Sequence, residues 1–566
     1  MNVAKFLAWG ALALTVVCHL GAANRGLEMT DEASYLLIAL DPWNTWGHGT
    51  FHGFLLRPLF LLGGESVAGM RWMGYAILLA AAGRLAGAVN SRLGAGKEAV
   101  AGLSAPVLMI ASMTAYCGGI RTPCYNWMIL LGAILSWSGW LRAARQRLGP
   151  VELGVGLTIA LIGKWGAALI LLALFTALSL MQRGDSPGPS RIGWRTALLT
   201  FALTAGGFAI YAGREGIRDT LEAGVLIAQT TGSHGWFILP KYGWEVLYYA
   251  YRIARAYFWL VPAILVFWWL ARRNPRKWTP EKIAGVLFAA GLSLAAVRGW
   301  WRGGIEQFGK ESVLAGCWLL GVAWTVWAVK RRKEAGGRRP EVGNQPVVLW
   351  GLVATPFLCG IGTNTSIADY AGQGTVFFAA AGILLFGQLP SPRIVWVAGI
   401  ALVGLGLIQS SRISSALLGM YRLGSVFSQT ETLSFGPEKE RLRVSPETKG
   451  ALEGLHPFLE REEFKSGDPL IGVDSLCGLV YLAGGRSPGM PWFFRDQKIF
   501  LETTLRTLPV PTLEKTWLLV RSSSQSARPS EWWPKTLAPE PKPVAAWSLQ
   551  WDGQGEEFRL YRPSSP

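Results

Sequence analysis

The feature that most limits what this chain can fold into is a series of uninterrupted apolar stretches between Phe6 and Gln409. Each is about 20 residues, long enough to cross a hydrocarbon core, and about thirteen can be marked out, with charges gathered between them. Lipid offers no partner to a bare backbone N–H or C=O, so only helices and closed barrels span it. Runs this long do not alternate as barrel strands do. An α-helical polytopic membrane protein is expected. Charge content agrees: Asp, Glu, Lys and Arg are 16% of the chain, against roughly 25% in soluble domains.

Orientation follows from the basic residues, because short basic loops are retained in the cytoplasm. Arg92 and Lys97 fall in one connection, and Arg142, Arg145 and Arg147 in the next. Arg183, Arg191 and Arg195 follow, then Arg272 to Lys277, and finally Lys330 to Lys333 with Arg338 and Arg339. The connections at 23–66, 214–256 and 298–311 mix acids with bases and are assigned to the outside. Residues 153–181 form either one long helix or a hairpin hinged at Gly163-Lys164-Trp165-Gly166. Only the hairpin keeps the later basic loops inside, and it brings Lys164 to the outer surface. The net charge of +18 is therefore a product of topology and not a nucleic-acid footprint.

The first apolar segment, 6–22, is taken as a retained anchor rather than a cleaved signal. Six cysteines, mostly in apolar segments, define no disulfide framework. Cys117 and Cys124 flank one outer turn, and buried free thiols are the simpler reading. After residue 410 the texture becomes charged and turn-rich, with short apolar runs such as Leu479-Val480-Tyr481-Leu482 and Trp517-Leu518-Leu519-Val520. The division is a membrane bundle at 1–410, with an extracytoplasmic loop at 23–66, and a soluble mixed α/β domain at 411–566. Its last part, 529–566, is rich in Pro and Trp and is expected to pack as irregular structure. The predicted placement is a multi-pass inner-membrane protein with a cytoplasmic N-terminus and a periplasmic C-terminal domain.

Ionisable groups cluster in the first outer loop, which contains Glu28, Asp31, Glu32, Tyr35 and Asp41. Thr30 can act as N-cap for a short amphipathic helix carrying Asp31 and Glu32 in its first turn, where the macrodipole favours carboxylates. Such a helix would lie in the interface plane. His48, His52 and Arg57 follow at the mouth of the second span. Carboxylates beside phosphate-binding groups suit transfer of a group from an anionic lipid. A base takes the proton of an acceptor hydroxyl, and Arg or Lys balances charge on the departing phosphate. Asp31 is the candidate base, with Glu32 beside it. Arg57, Arg121 and Lys164 are the candidate phosphate partners. Each of these also suits a plainer role, as a helix-start acid or an interfacial snorkelling cation.

These residues resemble the GT-C glycosyltransferases that use lipid-phosphate sugars, among them protein O-mannosyltransferases and the aminoarabinose transferases of lipid A. The resemblance rests on Asp31-Glu32 just after the first span, followed by Ala33-Ser34-Tyr35. It extends through Arg57-Pro58-Leu59, the turn Arg121-Thr122-Pro123-Cys124-Tyr125-Asn126 and the periplasmic tail. It implies a GT-C-like bundle, a polyprenyl-phosphate sugar donor, Asp31 as base, and Tyr125 and Asn126 among the substrate contacts, beside the donor groups His48 and His52 already noted. The acceptor would be an envelope glycan, lipid or protein. Many relatives carry a second acid in the turn between the third and fourth spans, whereas 121–127 has none. Asp41 or Asp369 is then the available substitute, and Gly362-Thr363-Asn364-Thr365-Ser366 could offer donors to a sugar or simply cap a helix.

No P-loop, Rossmann glycine pattern or zinc-type spacing is present. His48 and His52 stand four apart, but Gly47, Gly49 and Gly53 argue against a firm helix there, so no metal or other cofactor is expected. Two other classes stay open: a flippase for lipid-linked glycans, which needs a hydrophilic path through the bundle, and a non-catalytic envelope assembly protein.

Overall fold

The structure is a computed structural model. It describes residues 2–46, 49–93, 97–116, 120–181, 189–230, 238–257, 345–361 and 367–387, scattered positions within 265–273 and 404–418, and 425–564 apart from 436–439, 493–497, 525–526 and 552–553. Several expected spans, Cys117, the basic cluster at Lys330 and residues 362–366 lie outside the described residues. Within them the chain is mostly helical, with strands confined to its C-terminal part. Among the described residues, three helices are long and apolar enough to cross a membrane, Val3–Ala22, Val67–Asn90 and Arg191–Ile227, and shorter apolar helices accompany them. Large apolar side chains face outward along these helices, among them Phe6, Leu14, Leu203 and Ile210.

The first helix, α1 (Asn2–Ala22), leads to two short helices, α2 (Asp31–Leu40) and α3 (His52–Leu62). A turn at Gly63 and Gly64 then opens α4 (Val67–Asn90). Arg57 therefore stands on a separate helix of 11 residues, and the next long apolar helix begins only at Val67. After α5 (Glu98–Ser112) come α6 (Tyr125–Arg142) and α7 (Gly149–Gly163), which pack along their whole lengths. Glycines set their separation. A Cβ on Gly132 would stand 2.6 Å from the Gly156 carbonyl oxygen, and one on Gly139 would stand 2.6 Å from that of Gly149. Gly149, Gly156 and Gly163 recur at heptad spacing on the opposing helix, the small-residue device by which helices approach closely without an aqueous driving force.

The ambiguous segment is a hairpin. α7 ends at Gly163, Lys164 is extended (φ −160°, ψ 96°), and α8 (Trp165–Met181) runs back. Phe175 and Ser179 of α8 meet Trp137 and Trp140 near the end of α6, with Trp140 Nε1 donating to Ser179 Oγ at 3.2 Å. The next helix, α9 (Arg191–Thr230), kinks at Gly213 (φ 75°) and runs on until Leu226 and Ile227 reach the core of the C-terminal domain. α10 (Ile238–Tyr257), α11 (Gln345–Gly360), α12 (Ile367–Gln373) and α13 (Thr375–Gly387) complete the described helices of this part.

The C-terminal part opens with an antiparallel hairpin, β1 (Glu431–Phe435) and β2 (Glu440–Val444), followed by α14 (Pro446–Arg461). A four-stranded sheet follows in the order β3 (Leu470–Gly472), β4 (Trp517–Arg521), β6 (Gln554–Arg562), β5 (Lys542–Trp551), in which only the β3–β4 pair is parallel. Both faces are buried. Leu470, Leu519 and Leu560 join the core shared with the helices, while Ile471, Leu518 and Val520 pack with Leu501, Leu505 and Trp532. Of the two apolar runs noted in the sequence, 517–520 is strand β4, whereas 479–482 lies in the short helix α15 (Cys477–Leu482). The expectation of irregular structure at 529–566 is overturned by β5 and β6. Phe558 and Leu560 alternate with Glu557 and Arg559, a period of two that the Pro and Trp content had obscured.

Candidate active site at the start of the second helix

The helix α2 begins at Asp31, but Thr30 is not its side-chain cap. Glu28 does that work. Its Oε2 accepts from the Glu32 N–H at 2.9 Å, its Oε1 accepts from the Thr30 N–H at 3.1 Å and from the Thr30 hydroxyl, and Glu32 Oε2 accepts in return from the Glu28 N–H at 3.1 Å. This reciprocal arrangement satisfies backbone donors that a helix start leaves open. Nor does α2 lie with an apolar face in lipid: Glu32 to Ala39 are all buried within the protein. The C-terminal domain covers the helix, with Gly478 of α15 donating its N–H to the Met29 carbonyl at 2.8 Å. A Cβ on Gly478 would stand 2.8 Å from the Met29 Cα, so only glycine permits that approach.

Asp31 and Glu32 are neighbours in sequence and opposites in environment. Glu32 is fully buried and held by Arg71 of α4 in a two-pronged pair, Nε to Oε1 at 2.9 Å and Nη2 to Oε2 at 2.6 Å, with the Thr122 hydroxyl donating to Oε1 at 2.7 Å. Burial works against its charge, but Arg71 and Arg121 outweigh burial and bring the carboxyl down to about 2. Arg71 also donates to the carbonyls of Ala23 (2.6 Å) and Gly26 (2.7 Å). Arg121, equally buried, donates to those of Ala22 (2.7 Å), Arg25 and Gly26 (3.2 Å). The guanidinium of Arg121 is thus occupied by backbone carbonyls of the loop before α2.

Asp31 is half-buried. Its charge acts on Tyr35, Cys124 and Tyr125. The rings of Tyr35, His52 and Tyr125 meet edge to face at 5.4–6.0 Å. His52 shares a 2.6 Å hydrogen bond between Nδ1 and the Thr50 hydroxyl. Lys164, buried in the α7–α8 turn, donates to the Cys359 carbonyl at 3.1 Å, and its ammonium stands 4.3 Å from the Tyr370 ring centre and 5.7 Å from that of Tyr125. Burial pushes the Lys164 amine down to about 7, and the two aromatic faces work against that loss of charge.

The remaining candidates are more scattered. Arg57 pairs with Glu65 at 3.7 Å, and its Nη1 is buried with no hydrogen-bond partner among the described residues. Asn126 is half-buried at the start of α6. Asp41 caps the far end of α2, accepts from Asn44 and faces Arg486 of the C-terminal domain at 3.4 Å. His48 and residues 362–366 are outside the described residues, and Asp369 lies on α12. Arg71 and Tyr370 were not found from the sequence, and Glu28 was noted there without a role. A lone arginine one turn inside an apolar helix is itself a signal for Arg71, since charge at that depth needs a partner.

No family model matches the sequence, and neither does any curated protein. Among solved structures the chain is similar to two crystal structures of ArnT from Cupriavidus metallidurans, one bound to undecaprenyl phosphate and one in the apo state. The identities are 14% and 13%, the TM-scores 0.41 and 0.40, and 97% of each chain is covered in both comparisons.

Proposed function

We propose that the protein is an integral-membrane glycosyltransferase that moves a sugar from a polyprenyl-phosphate donor to a hydroxyl acceptor on the extracytoplasmic side, with Asp31 as general base. The observation that carries this reading is that the Tyr125 ring lies between the first turn of α2 and the α7–α8 turn, 6.0 Å from the Tyr35 ring on one side and 5.7 Å from the Lys164 side-chain nitrogen on the other, so that the half-buried Asp31 and the buried Lys164 flank one aromatic cluster. In the proposed reaction Asp31 takes the proton of the acceptor hydroxyl as its oxygen attacks the anomeric carbon. The bond from that carbon to the phosphate oxygen breaks, and its electron pair leaves with the lipid phosphate. Lys164 and Arg57 balance the charge gained there, and the buried Nη1 of Arg57 supports such a role. Tyr35, His52 and Tyr125 form the wall against which the sugar would rest, with Asn126 next along α6 and His48 a further candidate contact. Glu32 and Arg121, held by Arg71 and by backbone carbonyls, act as positioning residues for Asp31. The acceptor class, whether glycan, lipid or protein, is decided by chemistry beyond these residues.

The test is transfer from radiolabelled polyprenyl-phosphate sugar to envelope acceptors in proteoliposomes. Asp31→Asn is expected to lower turnover about 10²–10⁴-fold, the usual contribution of a general base, with donor binding retained. Transfer undiminished by that variant overturns the mechanism. Movement of the lipid-linked sugar across the bilayer without a product bond would instead identify a flippase, and neither transfer nor movement would identify an assembly protein.

A further inference from the structure

The hairpin β1–β2 touches the membrane-embedded part at two places that are far apart in sequence and adjacent in space. Glu440, at the head of β2, accepts from the Val67 N–H at 2.7 Å, and Ala68 is the next donor facing it. These are the first amides of α4, groups for which a helix has no internal acceptor. Ser66 takes the Gly69 N–H of the same turn at 2.9 Å. Three residues along β2, Arg443 adds the loop before α2 as a further strand: Gly26 donates to the Arg443 carbonyl at 2.6 Å, and Arg443 donates to the Asn24 carbonyl at 2.8 Å, in a parallel bridge centred on Arg25.

The two places are the two ends of the Glu32–Arg71 pair. Arg71 sits one turn into the helix that Glu440 caps, and Glu32 sits at the end of the loop that Arg443 pairs with. The same loop presents its carbonyls at 22, 23, 25 and 26 to Arg71 and Arg121 from the other side. The backbone that carries Asp31 is therefore gripped between two guanidiniums and a strand of the soluble domain. We propose that Glu440 is a positioning residue: through β2 the soluble domain clamps the start of α4 and residues 24–26 in register, fixing the Glu32–Arg71 pair and with it the carboxylate of Asp31.

The consequence for catalysis rests on Asp31 being the base, whereas the clamp itself does not. The full chain in nanodiscs is compared by hydrogen exchange and by donor turnover. Glu440→Ala is expected to speed amide exchange about tenfold across both 24–34 and 66–72, the loss of one buried hydrogen bond, and to lower kcat with little change in donor KM. Glu440→Gln keeps an acceptor oxygen and is expected to restore both. Val67→Pro removes the donor at a helix position that accepts proline. It should loosen 24–34 as Glu440→Ala does, which gives a second route if the alanine variant folds poorly. Lys449→Ala, on the neighbouring helix and paired with Glu431, should change neither readout. Exchange that accelerates at 66–72 alone, with 24–34 unmoved, overturns the proposal. Loosening of both segments in a protein whose Asp31→Asn variant remains fully active would keep the clamp and discard Asp31 as base.

Discussion

Burial pushes the Glu28 carboxyl up to about 7, against the hydrogen bonds from Thr30 and Glu32 and with the charges of Asp31 and Glu32 adding to the rise. Four residues on, Glu32 is at about 2, because Arg71 and Arg121 overcome the same burial. The two acids therefore bind protons in opposite senses on folding. For Glu28, the native state holds its proton more tightly than the unfolded chain, so its stabilising contribution is complete below pH 4.5 and is lost as pH rises to about 7. That of Glu32 is present above pH 4.5 and is lost as pH falls toward 2. Thermal midpoints in detergent are thus expected to fall between pH 5 and 7.5. Glu28→Gln should remove part of that slope, with Glu440, also raised to about 7 by burial, carrying more of it. An unchanged slope in the Glu28 variant would refute this assignment. Replacing Arg71 with Met leaves Glu32 buried without its partner, a loss of about 3–5 kcal/mol, and Glu32→Met in the same chain should recover much of it. A double-mutant cycle on unfolding midpoints measures the coupling. The acidic pair was legible in the sequence, but the difference between its members was not. The partner of Glu32 lies 39 residues away in sequence, inside an apolar run that reads as a span and nothing more.

The same contrast between local and distant information separates the elements read correctly from those missed. The α7–α8 hairpin followed from charge parity, because every basic loop after it depended on the count. Enclosure of α2 did not follow from the sequence: its apolar face suits lipid and protein equally, and the glycine that admits α15 lies more than 400 residues downstream. β5 and β6 were hidden by composition. The α6–α7 contact is written locally, in glycines seven apart, and its tightness can be tested. A Cβ on Gly156 would meet the Ser136 N and Oγ at 2.6 Å and the Gly132 carbonyl oxygen at 2.7 Å, and backbone cannot yield as a flexible side chain can. Gly156→Val is expected to cost about 1–3 kcal/mol or more, seen as a lower unfolding midpoint in detergent. Gly166→Ala, on α8 with no atom within 4 Å of the added carbon, should be neutral. Equal effects at the two positions would mean that close approach of α6 and α7 does not control stability.

Across the whole molecule, the C-terminal domain meets the helices through the segment that carries Asp31: Gly489 exchanges backbone hydrogen bonds with Asn44 and Trp46, and Thr45 donates to the Ser487 carbonyl at 2.8 Å. From that face α4 runs 24 residues, about 36 Å at the helical rise, to an end where the basic residues of two predicted inner loops gather. There Glu152 lies between Arg84 (2.9 Å) and Arg142 (3.5 Å), and Arg92 and Arg145 donate to the carbonyls of Leu141 and Ser91. The basic residues of these two short connections thus gather at the end opposite the candidate site, as retention of basic loops produces when this end faces the cytoplasm. Cysteine labelling tests the orientation. Among the described cysteines, Cys124, Cys359 and Cys477 are buried and Cys18 is half-buried, so background reaction is measured on the unaltered chain. Cysteine at Glu453, exposed on α14, is expected to react with a membrane-impermeant maleimide in intact spheroplasts. Cysteine at the exposed Arg147 position should react only after permeabilisation. The reverse pattern would put Asp31 in the cytoplasm, out of reach of an extracytoplasmic acceptor, and the proposed transfer reaction would fall with it.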